Sequence, residues 1–85
     1  MTRLPVLSSD AVLRALKRAG FDYAPRRSKG HQVALYRVDE NGRPLLVILP
    51  KRSVLPVGTL LCVLQQANLH KERFVLFVGE AAPAL

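Results

Sequence analysis

Apolar residues recur along this chain with two different periods, and the switches between them mark out its elements. Val12, Leu13, Ala15, Leu16 and Ala19 fall on one stripe at helical spacing, with Arg14, Lys17 and Arg18 gathered on the opposite side. Ser8 or Ser9 can accept a hydrogen bond from an unpaired N–H at the start of this helix. Asp10 suits its first turn, and Gly20 supplies the left-handed residue that ends it. A second stripe, Leu60, Leu61, Val63, Leu64 and Ala67, repeats the first almost position for position and predicts a helix from about Thr59 that Asn68 closes. The outer face of this second helix, Cys62, Gln65 and Gln66, is uncharged.

The stretches between and around the helices read as extended chain. Leu4 to Leu7 opens the sequence, and Phe21 to Arg26 reads as a short strand interrupted by Pro25, which lacks an N–H and belongs at a strand edge or end. Gln32 to Val38 and Arg43 to Leu49 form a hairpin around Asp39-Glu40-Asn41-Gly42, whose Asn-Gly pair is a strong turn signal. Pro50, Pro56 and Gly58 make Lys51 to Val57 a loop. His70 to Val78 predicts a short terminal turn or helix through Phe74 and Phe77, and residues 81–85 are expected to fray as a disordered tail. The aromatics Phe21, Tyr23, Tyr36, Phe74 and Phe77 are expected in the core, although alternation sets Tyr36 with Gln32 and Ala34, opposite Val33 and Leu35.

Helix, strand, strand, strand, helix, with one apolar stripe on each helix, predicts an α+β fold in a single domain over residues 1–80. The expected architecture is a two-layer αβββα sandwich: a three-stranded antiparallel sheet with two helices on one face. The other sheet face is left to solvent or to a partner.

Composition narrows the function. The chain has 85 residues, 49% of them apolar, enough for one small core. A lone cysteine, Cys62, cannot form an internal disulfide and fits a reducing compartment, so a cytoplasmic location is expected. Even an apolar run such as Leu45 to Leu49 is far short of the roughly 20 residues a membrane helix needs, so no membrane association is expected. Thirteen Lys and Arg against six Asp and Glu give a net charge of +7, which attracts polyanions, nucleic acid first among them. The sequence shows no Gly-rich phosphate loop, paired carboxylates or metal-ligand cluster, so neither a metal nor another cofactor is expected. The cations concentrate in Arg26, Arg27, Ser28, Lys29, Gly30 and His31, a polar loop between strands.

Two segments flanking that loop resemble a known family. Leu4-Pro5-Val6-Leu7-Ser8 followed by Ala15-Leu16-Lys17-Arg18-Ala19-Gly20-Phe21 resembles the opening of HicA-like proteins, the toxin halves of bacterial and archaeal toxin–antitoxin pairs. Gly58-Thr59-Leu60 and Val63-Leu64-Gln65-Gln66-Ala67, then Leu69 and Phe74, are similar to the family's closing helix. The resemblance implies a double-stranded-RNA-binding-like fold, metal-independent mRNA cleavage and neutralisation by a HicB-type acidic antitoxin. The family's active loop usually reads Gly-Ser-His, where this chain has Lys29-Gly30-His31, and it implies His31 as the catalytic residue. Leu61 stands where relatives often carry a basic residue, and Lys51-Arg52 where a histidine or acidic residue is common.

The chemistry of the loop agrees with that implication. RNA carries its own nucleophile in the 2′-hydroxyl, and an imidazole exchanges protons near neutral pH, so one histidine can serve as general acid or base. Lys29 and Arg27 offer positive charge to the phosphoryl oxygens, and Gly30 offers close backbone approach. Arg26 extends the same loop; Arg14, Lys17 and Arg18 on the first helix are candidates to follow phosphates, and Lys51 and Arg52 join them if their loop lies near His31. His70 is expected to be solvated. The same residues also suit a non-catalytic RNA-binding module, or a protein-interaction domain whose charge serves an acidic partner.

Overall fold

A computed structural model describes residues 4–24, 26 and 28–78 of the chain. Helix α1 spans Ser9–Arg18; its N-cap is Ser8, whose hydroxyl accepts from the Ala11 N–H at 3.2 Å. Past Arg18 the Gly20 N–H donates to Lys17 O at 3.1 Å and the Phe21 N–H to Leu16 O at 3.0 Å. These paired bonds are the Schellman ending, and they require a left-handed residue, which Gly20 supplies with φ +101°. Helix α2, Val57–Gln66, ends the same way: Asn68 N–H reaches Gln65 O, Leu69 N–H reaches Leu64 O, and Asn68 takes φ +51°.

Gly20 also has a neighbour. A Cβ built there would stand 3.3 Å from Nε of Arg37 as well as holding an unfavourable φ. Gly20→Ala is therefore expected to lower stability by about 1–2 kcal/mol, read as a lower urea midpoint with an unchanged m-value.

Strands β1 (Asp22–Tyr23), β2 (Gln32–Val38) and β3 (Pro44–Pro50) form one antiparallel sheet in that order, with Leu35 opposite both Tyr23 and Val47. This is the expected α+β arrangement. The first strand is shorter than Phe21 to Arg26: Phe21 is buried in the core, Pro25 lies outside the described residues, and only Asp22 and Tyr23 pair. Where β1 stops, the Ser28 hydroxyl takes over its role. It accepts from Ala34 N–H at 2.9 Å and donates to Ala24 O at 3.2 Å, while Ala24 N–H reaches Ala34 O at 2.8 Å.

Ladder bonds between β2 and β3 fall on the odd-numbered residues, as Lys51 N–H to His31 O at one end and Asp39 N–H to Arg43 O at the other show. The even-numbered groups of β3 consequently face the open edge. Two of those positions, Pro44 and Pro50, have no N–H to offer, and the Ile48 N–H donates to Oε1 of Gln66 at 2.8 Å. Proline and a side-chain cap thus blunt an edge that would otherwise recruit another strand.

Val33, Leu35, Val47 and Leu49 project from one sheet face into a core with Val12, Ala15 and Leu16 of α1 and Leu60, Val63 and Leu64 of α2. A third helix, α3 (Lys71–Val78), extends the expected pair and packs chiefly on α1, with Phe74 and Val78 buried. Three expectations are corrected. Helix α2 begins at Val57, two residues early. Leu61 is 47% exposed, because Leu60, Val63, Leu64 and Ala67 complete the buried face without it. Tyr23 and Tyr36 are not core residues: each is 46% exposed, Tyr36 on the sheet face away from the helices and Tyr23 beneath the Lys17 ammonium, 4.5 Å from the ring centre. Among the described residues no helix is long and apolar enough to cross a membrane.

Candidate nucleic-acid interface

The loop that carries His31 ends in a tight turn. Gln32 N–H donates to Lys29 O at 2.9 Å, closing the four residues Lys29 to Gln32. Gly30, the second of them, has φ +55°, while Asn68 is the non-glycine described residue with positive φ, so His31 stays in the ordinary region. That is the φ pattern of a type II′ turn, which favours glycine at its first central position. A Cβ on Gly30 would meet nothing within 4 Å, so the demand is one of backbone conformation, not of room.

His31 itself is exposed, and its main chain is tied to the far end of β3: Lys51 N–H donates to His31 O at 2.7 Å, one step beyond the Gln32–Pro50 pair. Lys51 therefore stands opposite His31 in register, with Arg52 next to it. Both cations are exposed, as are Lys29 and Gly30. The condition set for Lys51 and Arg52 is met, because their loop does lie beside the histidine.

Arg52 is held in turn by the start of α1. Ser9 N–H donates to Arg52 O at 2.9 Å, the Ser9 hydroxyl donates to the same oxygen at 3.0 Å, and Arg52 N–H donates to Ser9 Oγ at 2.9 Å. Ser9 is buried, and with Ser8, Asp10, Lys51, Arg52 and Ser53 it lines an open cleft of about 450 Å³. The structure thus joins the His31 turn, the exit of β3 and the first turn of α1 into one surface through main-chain bonds.

The remaining candidates are spread more widely. Arg26 is exposed between Ala24 and Ser28, whose bonds to Ala34 fix the ends of that segment; Arg27 lies outside the described residues. Arg14 is exposed on α1, about 7.5 Å along the helix axis from Ser9. Lys17 and Arg18 are about 12–14 Å along that axis and are engaged elsewhere, Lys17 over Tyr23 and Arg18 through a 3.1 Å bond to Phe77 O. They belong to the α1–α3 end of the molecule and are not part of the His31 cluster. His70 is exposed, as expected, and Cys62 is an exposed free thiol.

Sequence reasoning did not find the roles of Ser9 and Ser28. The doubled serine before α1 was the available signal for the first: one hydroxyl suffices for the cap, which leaves the other for a second partner. For Ser28 residue type gave no such signal: its hydroxyl takes the Ala34 N–H that a continued ladder would have sent to Ala24 O. Compared with known proteins, the chain matches no family model and none of the curated proteins, so any reading of its function rests on the residues themselves.

Proposed function

We propose that this chain is a metal-independent endoribonuclease of the HicA-like type, the toxin half of a toxin–antitoxin pair acting on mRNA in the cytoplasm. The observation that carries the reading is the seat of His31. An exposed imidazole stands on a hydrogen-bonded turn with Lys29 before it and Lys51 and Arg52 beside it.

In the proposed reaction a ribose 2′-oxygen attacks the adjacent phosphorus and the bond from phosphorus to the 5′-oxygen breaks. A 2′,3′-cyclic phosphate and a 5′-hydroxyl are left. His31 either removes the 2′-hydroxyl proton or delivers one to the departing 5′-oxygen, water exchanging the other proton, while Lys29 and Arg27 offset charge on the phosphoryl oxygens. Lys51, Arg52, Arg14 and Arg26 hold the strand by its phosphates with little reading of bases. A HicB-type acidic antitoxin would oppose this activity by covering the same basic surface.

The test is cleavage of an end-labelled RNA by the purified chain in excess chelator, with the product termini mapped. Cyclic phosphate and 5′-hydroxyl ends are expected. Products with 5′-phosphates, or cleavage only with added magnesium, would overturn the mechanism. Binding that weakens with salt but yields no cleavage would replace it with a non-catalytic RNA-binding module.

A further inference from the structure

We propose that Ser9 is a positioning residue, which clasps the exit of β3 against the first turn of α1 and so presents Lys51 and Arg52 to RNA phosphate beside His31. The inference rests on the ribonuclease reading above and adds to it a residue that touches neither RNA nor the reacting atoms.

The geometry is specific to the hydroxyl. Oγ of Ser9 donates to Arg52 O and accepts from Arg52 N–H, while the Ser9 main-chain N–H shares the same carbonyl. Ser9 is not needed for capping, since Ser8 already accepts from Ala11 N–H. It does not serve the core as an apolar residue would, although it is 5% exposed. Its side chain is spent on fixing one residue 43 positions away in sequence.

That residue is where the chain needs fixing. Lys51 and Arg52 have left the β3 ladder after the bond to His31 O, and Arg52, Ser53 and Val54 are all exposed. Without the clasp the Arg52 N–H loses its acceptor, and the segment keeps only the Lys51 bond, the Ser9 main-chain bond and, three residues on, the bond from Leu55 N–H to Leu7 O. Long cationic side chains on an unfixed backbone bind phosphate at a higher entropic cost. The cations bind the strand equally before and during reaction, so their loosening should raise KM and leave kcat nearly unchanged.

The experiment compares wild type with Ser9→Ala, Ser9→Thr and Gly20→Ala in steady-state RNA cleavage with chelator, alongside RNA binding across a salt series. Ser9→Ala is expected to raise KM about fivefold to tenfold, as loss of one hydrogen-bonded anchor implies, with kcat within about twofold. Its binding should have a salt slope shallower by about 0.7, one phosphate contact on a single strand. Ser9→Thr, which keeps the hydroxyl, should restore both. Gly20→Ala loosens the opposite end of α1 and should leave KM alone. Unchanged KM and salt slope in Ser9→Ala, or an equal rise in Gly20→Ala, overturns the positioning role. Should wild type bind RNA without cutting it, the ribonuclease reading fails alone, and the same comparison decides the role of Ser9 through affinity and salt slope. Absence of RNA binding by wild type removes both.

Discussion

Replacing His31 with alanine is expected to lower RNA cleavage by about 10²–10⁴-fold, the usual worth of one positioned acid or base, while RNA affinity and folding stay close to wild type. The separation is expected because of how the residue is held. Its carbonyl, not its side chain, accepts from Lys51, so the link between the turn and β3 survives the substitution. The turn asks for positive φ at Gly30 and not at His31, so alanine is tolerated there. The ring is exposed and outside the core, where substitutions usually move stability by no more than about 0.5 kcal/mol. The cations that attract phosphate remain in place. His31→Gln, which keeps a polar side chain but transfers no proton at neutral pH, should behave like the alanine variant. Cleavage at the wild-type rate in either variant removes His31 from the mechanism. A fall in affinity matching the fall in cleavage would assign it to binding.

How much of this site was readable in the sequence turns on a single residue of register. The Asn41-Gly42 pair signals a hairpin, but in its commonest two-residue form that pair would set Glu40 opposite Arg43 and therefore His31 opposite Arg52. The observed turn is wider. Asp39 Oδ1 accepts from the N–H groups of Asn41 and Arg43 at 2.9 and 2.8 Å, Gly42 N–H closes on Asp39 O, and Gly42 takes φ +79°. Asp39 thereby pairs with Arg43, and counting along the strands sets His31 against Lys51. The hairpin was legible from residue type, whereas its register depended on which hydrogen bonds one aspartate makes.

The helices show the same division. Their ends were legible, because Gly20 and Asn68 adopt the left-handed conformation that few other residues accept. Burial along them was less so. Leu61 lies next to a complete i, i+3, i+4, i+7 face and is left in solvent. The basic face of α1 was legible as charge but not as a unit. Lys17 was taken up by Tyr23, just across the turn from α1 to β1, and Arg18 by Phe77 O on a helix distant in sequence, which no local pattern announced. Only the part of that face near Ser9 adjoins the His31 cluster, so the cations grouped there come from two loops and the first turns of one helix.

The largest loss of stability is expected from Phe74→Ala, at about 3–5 kcal/mol, the usual cost of emptying a fully buried aromatic site. The residues from His70 onward read only as a terminal turn or short helix, and five apolar residues in succession, Phe74 to Val78, favour no single face. Packing resolves the ambiguity by burying Phe74 and Val78, one turn apart, against α1 and leaving Leu76 72% exposed. Phe74 is fixed by its own N–H bond to His70 O at 2.9 Å, and the C-terminal end of the same helix receives Arg18 at Phe77 O. A domain of this size typically has only about 5–15 kcal/mol to lose, so Phe74→Ala should unfold at much lower urea, whereas Leu76→Ala should shift stability by no more than about 0.5 kcal/mol. Equal, small effects from the two would mean that α3 is peripheral. A large effect from Phe74 alone would make α3 the support of α1, and through Ser9 a support of the surface that carries His31.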